Sequence, residues 1–132
     1  MVEQVDSERF QAAVGEFLIR HRSILDCLSK FQESGSRVNR AITKAVTNCG
    51  CLKIHAERQR FPADVAISEI KKYVDSHLAG SLCPDCKDAI ETEIGLTLFY
   101  VAAICNLLHL DLKEIISKEY KRVTTLGVFS LT

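Results

Sequence analysis

Residues 94–110 read IGLTLFYVAAICNLLHL and carry no charge. This run decides the fold. Its length sits at the lower edge of what a bilayer span needs, roughly 17–25 residues. However, it contains Thr97, Asn106 and His109 and lacks basic flanks. A central helix buried on most sides of a globular domain accounts for it better than a membrane span. The helix is expected to open at Cys83-Pro84, because proline suits the first helical position. It should run to about His109. Asp111-Leu112-Lys113-Glu114 then reads as a capping box for a last helix that ends near Val123. The apolar tail, 126–132, is expected to pack back on the body.

Upstream, apolar residues recur at steps of three and four. Phe10, Val14, Phe17, Leu18, Leu25 and Leu28 predict a first helix over 7–31, capped by Asp6 or Ser7. Glu33-Ser34-Gly35-Ser36 reads as the break. Val38, Ile42, Ala45, Cys49, Leu52 and Ala56 predict a second helix over 37–57, with Gly50 in its middle. Ile67, Ile70, Val74 and Leu78 predict a third over 64–78, stopped by Gly80. The expected fold class is all-α, a single-domain bundle of about five helices with no strand.

The chain of 132 residues suits one domain. Basic and acidic residues number 17 each, which disfavours nucleic-acid binding by bulk electrostatics and a polybasic membrane clamp. Apolar residues make up 47% of the chain, too many for a disordered protein. The opening MVEQVDSERF has acids and no apolar core, unlike a secretory signal. A soluble cytoplasmic protein with reduced cysteines is therefore expected.

Glu93-Ile94-Gly95, then Leu98-Phe99-Tyr100, Asn106, Leu110-Asp111-Leu112, and the basic Lys118, Lys121 and Arg122 follow one another in the last third of the chain. This order and spacing resemble the second half of the MazG-like, all-α nucleoside triphosphate pyrophosphohydrolases. The resemblance spans about thirty residues by direct reading. It implies a MazG-like bundle completed by a dimer or tetramer. The long, uniformly apolar fourth helix points to oligomerisation independently, since five helices would struggle to cover it.

The resemblance also implies a reaction, the splitting of a nucleoside triphosphate into monophosphate and pyrophosphate. Mg2+ would be held by two acid pairs, each three residues apart on one helix face. Glu93 would be a metal ligand, Asn106 and Asp111 would support the catalytic site, and Lys118, Lys121 or Arg122 would contact phosphate. Where such enzymes carry the second acid of that pair, this chain has Leu96. The other pair aligns on Asn48-Cys49-Gly50-Cys51, so one carboxylate of four remains. Asp88 and Glu91 could supply a shifted pair.

Cysteine supplies a different signal. Cys49-Gly50-Cys51 and Cys83-Pro84-Asp85-Cys86 form two short pairs, a spacing that can hold tetrahedral Zn2+ if the fold joins them. His77 and His55 are further candidate ligands. Residues two apart on a helix point about 200° apart, so Cys49 and Cys51 reach one metal only if Gly50 breaks the helix. With Cys51 set opposite Glu93 in an antiparallel helix pair, Cys86 would lie about 10 Å further along. The bland alternative is that Cys27, Cys49 and Cys105 are small buried apolar residues. Redox sensing by the dithiol stays open, without a thioredoxin-like fold. The predicted second helix and the residues just after it are basic, with Arg37, Arg40, Lys44, Lys53, Arg58 and Arg60 against Glu57 alone; Lys53, Arg58 and Arg60 either contact the phosphates of a nucleotide or form a solvated face. The acids Asp85, Asp88, Glu91 and Glu93 could complement that basic run. Three functions thus remain, a divergent nucleotide pyrophosphohydrolase scaffold, a non-enzymatic zinc or thiol module, and a purely structural oligomeric partner protein.

Overall fold

Asp6 starts the first helix, its carboxylate accepting a hydrogen bond from the Arg9 amide at 2.8 Å. In the computed structural model, which describes residues 3–127, this helix (α1, Ser7–Phe17) is shorter than the periodicity predicts. The chain leaves the helix at Leu18, and Ser23 opens a second helix, α2 (Ile24–Lys44). The expected break at Glu33–Ser36 lies inside α2. Ser34 is buried, and its hydroxyl donates to the Phe31 carbonyl at 2.6 Å, so it is satisfied within the helix. Gly35 costs the helix about 1 kcal/mol, which tertiary packing easily exceeds.

The second predicted helix ends early. After Lys44 the chain widens into a π turn (Ala45–Cys49), and Gly50 takes a left-handed φ of 80°. A short strand follows, β1 (Leu52–Ile54), paired antiparallel with β2 (Leu78–Gly80). Their register sets Leu52 against Gly80 and Ile54 against Leu78. The described chain is mostly helical, as expected, and this small ladder corrects only the expectation of no strand. Three-residue strands lack the alternation that makes strands legible in sequence. Of the predicted helix over 64–78, only a 3-10 turn (Ile67–Lys72) forms.

The long apolar helix is α3 (Pro84–Leu107), and α4 (Leu112–Leu126) follows, capped by Asp111 on the Lys113 amide. Both match the sequence closely. Helix α2 packs antiparallel along α3, and α1 packs across the C-terminal half of α3. Val14, Leu18, Cys27, Tyr100, Ala102 and Ala103 form the core, with Phe10, Leu96, Phe99 and Leu107 against it. By length and composition alone α3 could cross a bilayer. It is not buried on most sides, however, because Ile94 and Leu98 are exposed. Helix α4 rests on α1 and has no buried residue. The expected packing of the tail concerns residues that, beyond 127, lie outside the described ones.

Candidate metal centre

Three local features bring four cysteines together. The π turn and the left-handed Gly50 swing Cys51 away from the path of a straight helix, where it would point away from Cys49. The β1–β2 register then carries the chain back beside Cys51 before α3 begins. At the start of α3, Cys83 is the N-cap residue and Cys86 lies in the first turn, with the Cys86 amide donating to Cys83 Sγ at 3.4 Å. The four sulfurs all lie within 4.8 Å of one another. Cys49 Sγ and Cys83 Sγ are 3.7 Å apart.

This spacing suits one particular ion. Four thiolates around tetrahedral Zn2+ at 2.3 Å stand about 3.8 Å from each other. A disulfide needs about 2.05 Å, and all six cysteines are free thiols. The donors are soft, as Zn2+ accepts and Mg2+ does not. The bland reading holds for Cys27 and Cys105, which are buried and whose thiols burial pushes up. It does not hold for Cys49, which is exposed and within the cluster.

The thiols are electrostatically unequal. The Cys86 amide, then the Cys86 thiol, lower Cys83 to about 7. Cys86 itself is pushed up, chiefly because its thiol hydrogen-bonds Cys83. The metal-free cluster therefore concentrates its first negative charge on Cys83, at a helix N-terminus that favours it.

The histidines proposed as ligands lie elsewhere. The His55 amide donates to the His77 carbonyl at 2.8 Å, one step beyond the ladder. The His77 ring faces the Gln59 side-chain amide at 3.3 Å, and Gln59 also clamps the Asp75 backbone. Both histidines border a polar bowl of about 420 Å3 that includes Arg58, Arg60, Tyr73 and Asp75. Neither belongs to the four-cysteine group.

Glu93 is engaged by Arg37, whose Nε and Nη2 donate to its two oxygens at 2.8 and 3.0 Å. This places Arg37, and not Cys51, opposite Glu93 in the helix pair. It also realises the acid–base complement expected between these segments. The same register sets Cys49 against Cys83 at the other end of the pair. The remaining sites inferred from the resemblance do not converge on Glu93. Asn106 bonds Gln11 across α1 and α3, and Asp111 caps α4. Lys118 and Lys121 are exposed on α4, where Arg122 pairs with Glu119. Lys53 is exposed on β1.

The sequence sets the acids against the basic run as a whole and does not single out the residues that share a surface with Glu93. Arg37, Arg40 and Lys44 recur at steps of three and four along α2 and line an open groove of about 930 Å3 between α2 and α3. Asp85 and Glu93 border the groove from α3, and Cys49 and Cys86 close one end. Their helical spacing was visible, but the facing helix was not. No family model matches the chain, and neither curated proteins nor solved structures give a match.

Proposed function

We propose that the chain is a zinc-binding helical module in which Cys49, Cys51, Cys83 and Cys86 hold one Zn2+. The observation that carries this reading is the mutual approach of four sulfurs within 4.8 Å, drawn from two segments far apart in sequence. A closed four-thiolate site is structural rather than catalytic, because it leaves no position open for water. Its job here is to fasten the end of α2 to the start of α3 and to hold the small β ladder between them. Ligation of this kind adds directly to folding free energy. Protein purified without chelator is expected to carry stoichiometric zinc. Cobalt in its place should give thiolate charge-transfer and tetrahedral d–d absorption. Metal content far below one per chain, with no cobalt spectrum, refutes the reading.

The groove favours a second reading. Arg37, Arg40 and Lys44 on one face of α2 could align a phosphate chain, which agrees with the MazG-like resemblance. Pyrophosphohydrolysis needs more. Hard oxygen donors for Mg2+ are few beside Glu93, and Arg37 already occupies both its oxygens. The groove reading thus favours binding over hydrolysis. Release of pyrophosphate from a nucleotide panel with Mg2+ or Mn2+, compared with Glu93→Gln, tests it. No turnover above that variant retires the enzyme.

A further inference from the structure

The chain between β1 and β2 leaves the end of the ladder remote from the cysteines and forms the polar bowl of about 420 Å3. That volume lies at the lower end of the range for small-molecule sites, about 300–1,000 Å3. Hydrogen bonds fix its frame. Gln59 Oε1 accepts from the Asp75 amide at 3.1 Å, and Gln59 Nε2 donates to the Asp75 carbonyl at 3.0 Å. The same nitrogen meets His77 Nε2 at 3.3 Å. Both Gln59 hydrogens are then donated, so His77 Nε2 accepts and Nδ1 carries the ring proton. His77 holds a left-handed φ of 62°, which few residues other than glycine adopt. Its amide donates to Asp75 Oδ1 at 3.2 Å and its carbonyl accepts from the His55 amide at 2.8 Å, which keeps it there.

Arg58 and Arg60 flank the pinned Gln59, and both line the bowl. They are what points to a ligand. Neither guanidinium has a hydrogen-bond or ion-pair partner among the described residues, although Glu57 and Asp75 line the same bowl. Two arginines at one concave site, each with all its donors uncommitted, suit an anion with more than two acceptor oxygens. One bidentate arginine takes up both oxygens of a carboxylate, whereas a phosphate monoester presents three terminal oxygens and can serve two arginines. The rest of the lining is mixed. The carboxylates of Glu57 and Asp75 accept hydrogen bonds only, which suits ligand hydroxyls. The Tyr73 ring, 44% exposed, offers a flat apolar face.

We propose that this bowl binds a small hydroxylated phosphate monoester, of the size and chemistry of a sugar phosphate. Arg58 and Arg60 grip the phosphate, Glu57 and Asp75 accept from hydroxyls, and the Tyr73 ring packs on the carbon skeleton. The bowl shares no residue with the cysteine cluster or with the α2–α3 groove, so it depends on neither reading above.

Isothermal titration of the full chain in phosphate-free buffer tests it, with glucose 6-phosphate and ribose 5-phosphate as probes. Saturable binding of one ligand per chain is expected for at least one of them, with a dissociation constant below about 1 mM. Glucuronate carries a carboxylate in place of the phosphate ester, and inorganic phosphate lacks the sugar. Each should bind weaker than the better probe by about tenfold or more. Glucuronate as tight as that probe overturns the phosphate assignment, and inorganic phosphate as tight overturns the hydroxyl contacts. Arg58→Gln and Arg60→Gln should each weaken the probe by about tenfold or more. Arg20→Gln, at an exposed arginine outside the bowl, should leave it unchanged. Equal weakening in all three means attraction by general charge and overturns the site. Weakening by Arg40→Gln with Arg58→Gln unaffected seats the ligand in the groove and overturns it too. The parent decides where a variant does not fold. Neither probe giving saturable heat or shifting the His77 and Gln59 NMR signals up to about 10 mM overturns the proposal.

Discussion

Cys49 and Cys83 are 34 positions apart in sequence, yet their sulfurs lie 3.7 Å apart. The approach is made by backbone geometry rather than by a long-range core. A π turn ends α2, Gly50 reverses the chain, and the two-stranded ladder returns it to the first residue before α3. Each device is local, and each has a residue whose change should disturb the cluster.

Gly80 is the most constrained of them. Its φ is +81°, and an added Cβ would lie 2.4 Å from the Cys51 carbonyl oxygen. Gly50 has a similar φ of +80°, but nothing lies within 4 Å of where its Cβ would be. Gly50→Ala should therefore cost only the left-handed penalty, about 1–2 kcal/mol. Gly80→Ala adds a backbone clash, so its cost should reach about 3 kcal/mol or more. Chemical denaturation in zinc-containing buffer measures both. Metal content should fall in Gly80→Ala, because the Cys51 backbone must move. Equal losses in the two variants would mean that the ladder does not set the cluster.

The cysteines should separate by reactivity once the metal is removed. Cys83, lowered to about 7 chiefly by the Cys86 amide, is the best nucleophile among them. In chelator-treated protein, iodoacetamide should modify Cys83 first, with a rate that rises through a midpoint near pH 7. Cys27 and Cys105, raised by burial, should stay unmodified until the protein unfolds. Peptide mapping after brief alkylation reads the order. Bound zinc should protect Cys49, Cys51, Cys83 and Cys86 together, and modification of one of them in the zinc-loaded protein at the metal-free rate would count against ligation.

Much of this was legible in the sequence, and the misses share a cause. The start of α3 at Cys83-Pro84, the start of α4 after Asp111, and the requirement that Gly50 break its helix all rest on short-range chemistry. The false break at Glu33–Ser36 failed because a weak local signal lost to packing against α3. The helix expected over 37–57 failed because Leu52 and Ala56 happen to continue a period of 3.6 residues past a turn. The ladder was invisible because its strands are three residues long. For the site, the four cysteines were legible as a set. The register that opposes Arg37 to Glu93 was not, since the 3.6-residue period of two helices says which faces meet but not how far one is shifted along the other.

Asn106 should prove structural. Its Nδ2 donates to the Gln11 carbonyl and its Oδ1 accepts from Gln11 Nε2, both at 3.0 Å. Gln11 in turn bonds the Leu110 carbonyl and the Leu112 amide at 2.8 Å, joining α1 to the α3–α4 corner. Helices α1 and α3 approach closely there, with a Cβ on Gly15 falling 3.1 Å from Asn106 Nδ2. Asn106→Ala should cost about 1–3 kcal/mol by leaving this network part-paired. Zinc content should be unchanged. Asn106→Asp should be the worse variant at neutral pH, because it sets a carboxylate against the Gln11 carbonyl, and should recover as the pH falls. Full stability in Asn106→Ala would remove this corner from the list of structural ties.

The Arg37–Glu93 pair has a pH signature of defined sign. The hydrogen bonds from Arg37 hold the Glu93 carboxyl below the ordinary glutamate range; desolvation opposes them, and the Arg37 charge adds a smaller lowering. The unfolded chain titrates this group near about 4.3. A carboxyl lowered by folding contributes stability that is fully present above the unfolded value and is lost as the pH falls through the folded one. The pair should therefore be intact at neutral pH, and its contribution should decay only in the acid range below pH of about 4.3. Carboxyl-carbon NMR of Glu93 should show a midpoint below the unfolded value, and Arg37→Gln should raise it. Between pH 5 and 8 this pair should give a flat profile, so a slope in that window removed by Glu93→Gln would mean that Glu93 is not held by Arg37. Added salt should raise the midpoint only partly, because the two hydrogen bonds persist after the longer-range attraction is screened. The same measurement bears on the groove. A phosphate-bearing ligand that draws Arg37 away should raise the Glu93 midpoint, whereas a ligand confined to Arg40 and Lys44 should leave it in place.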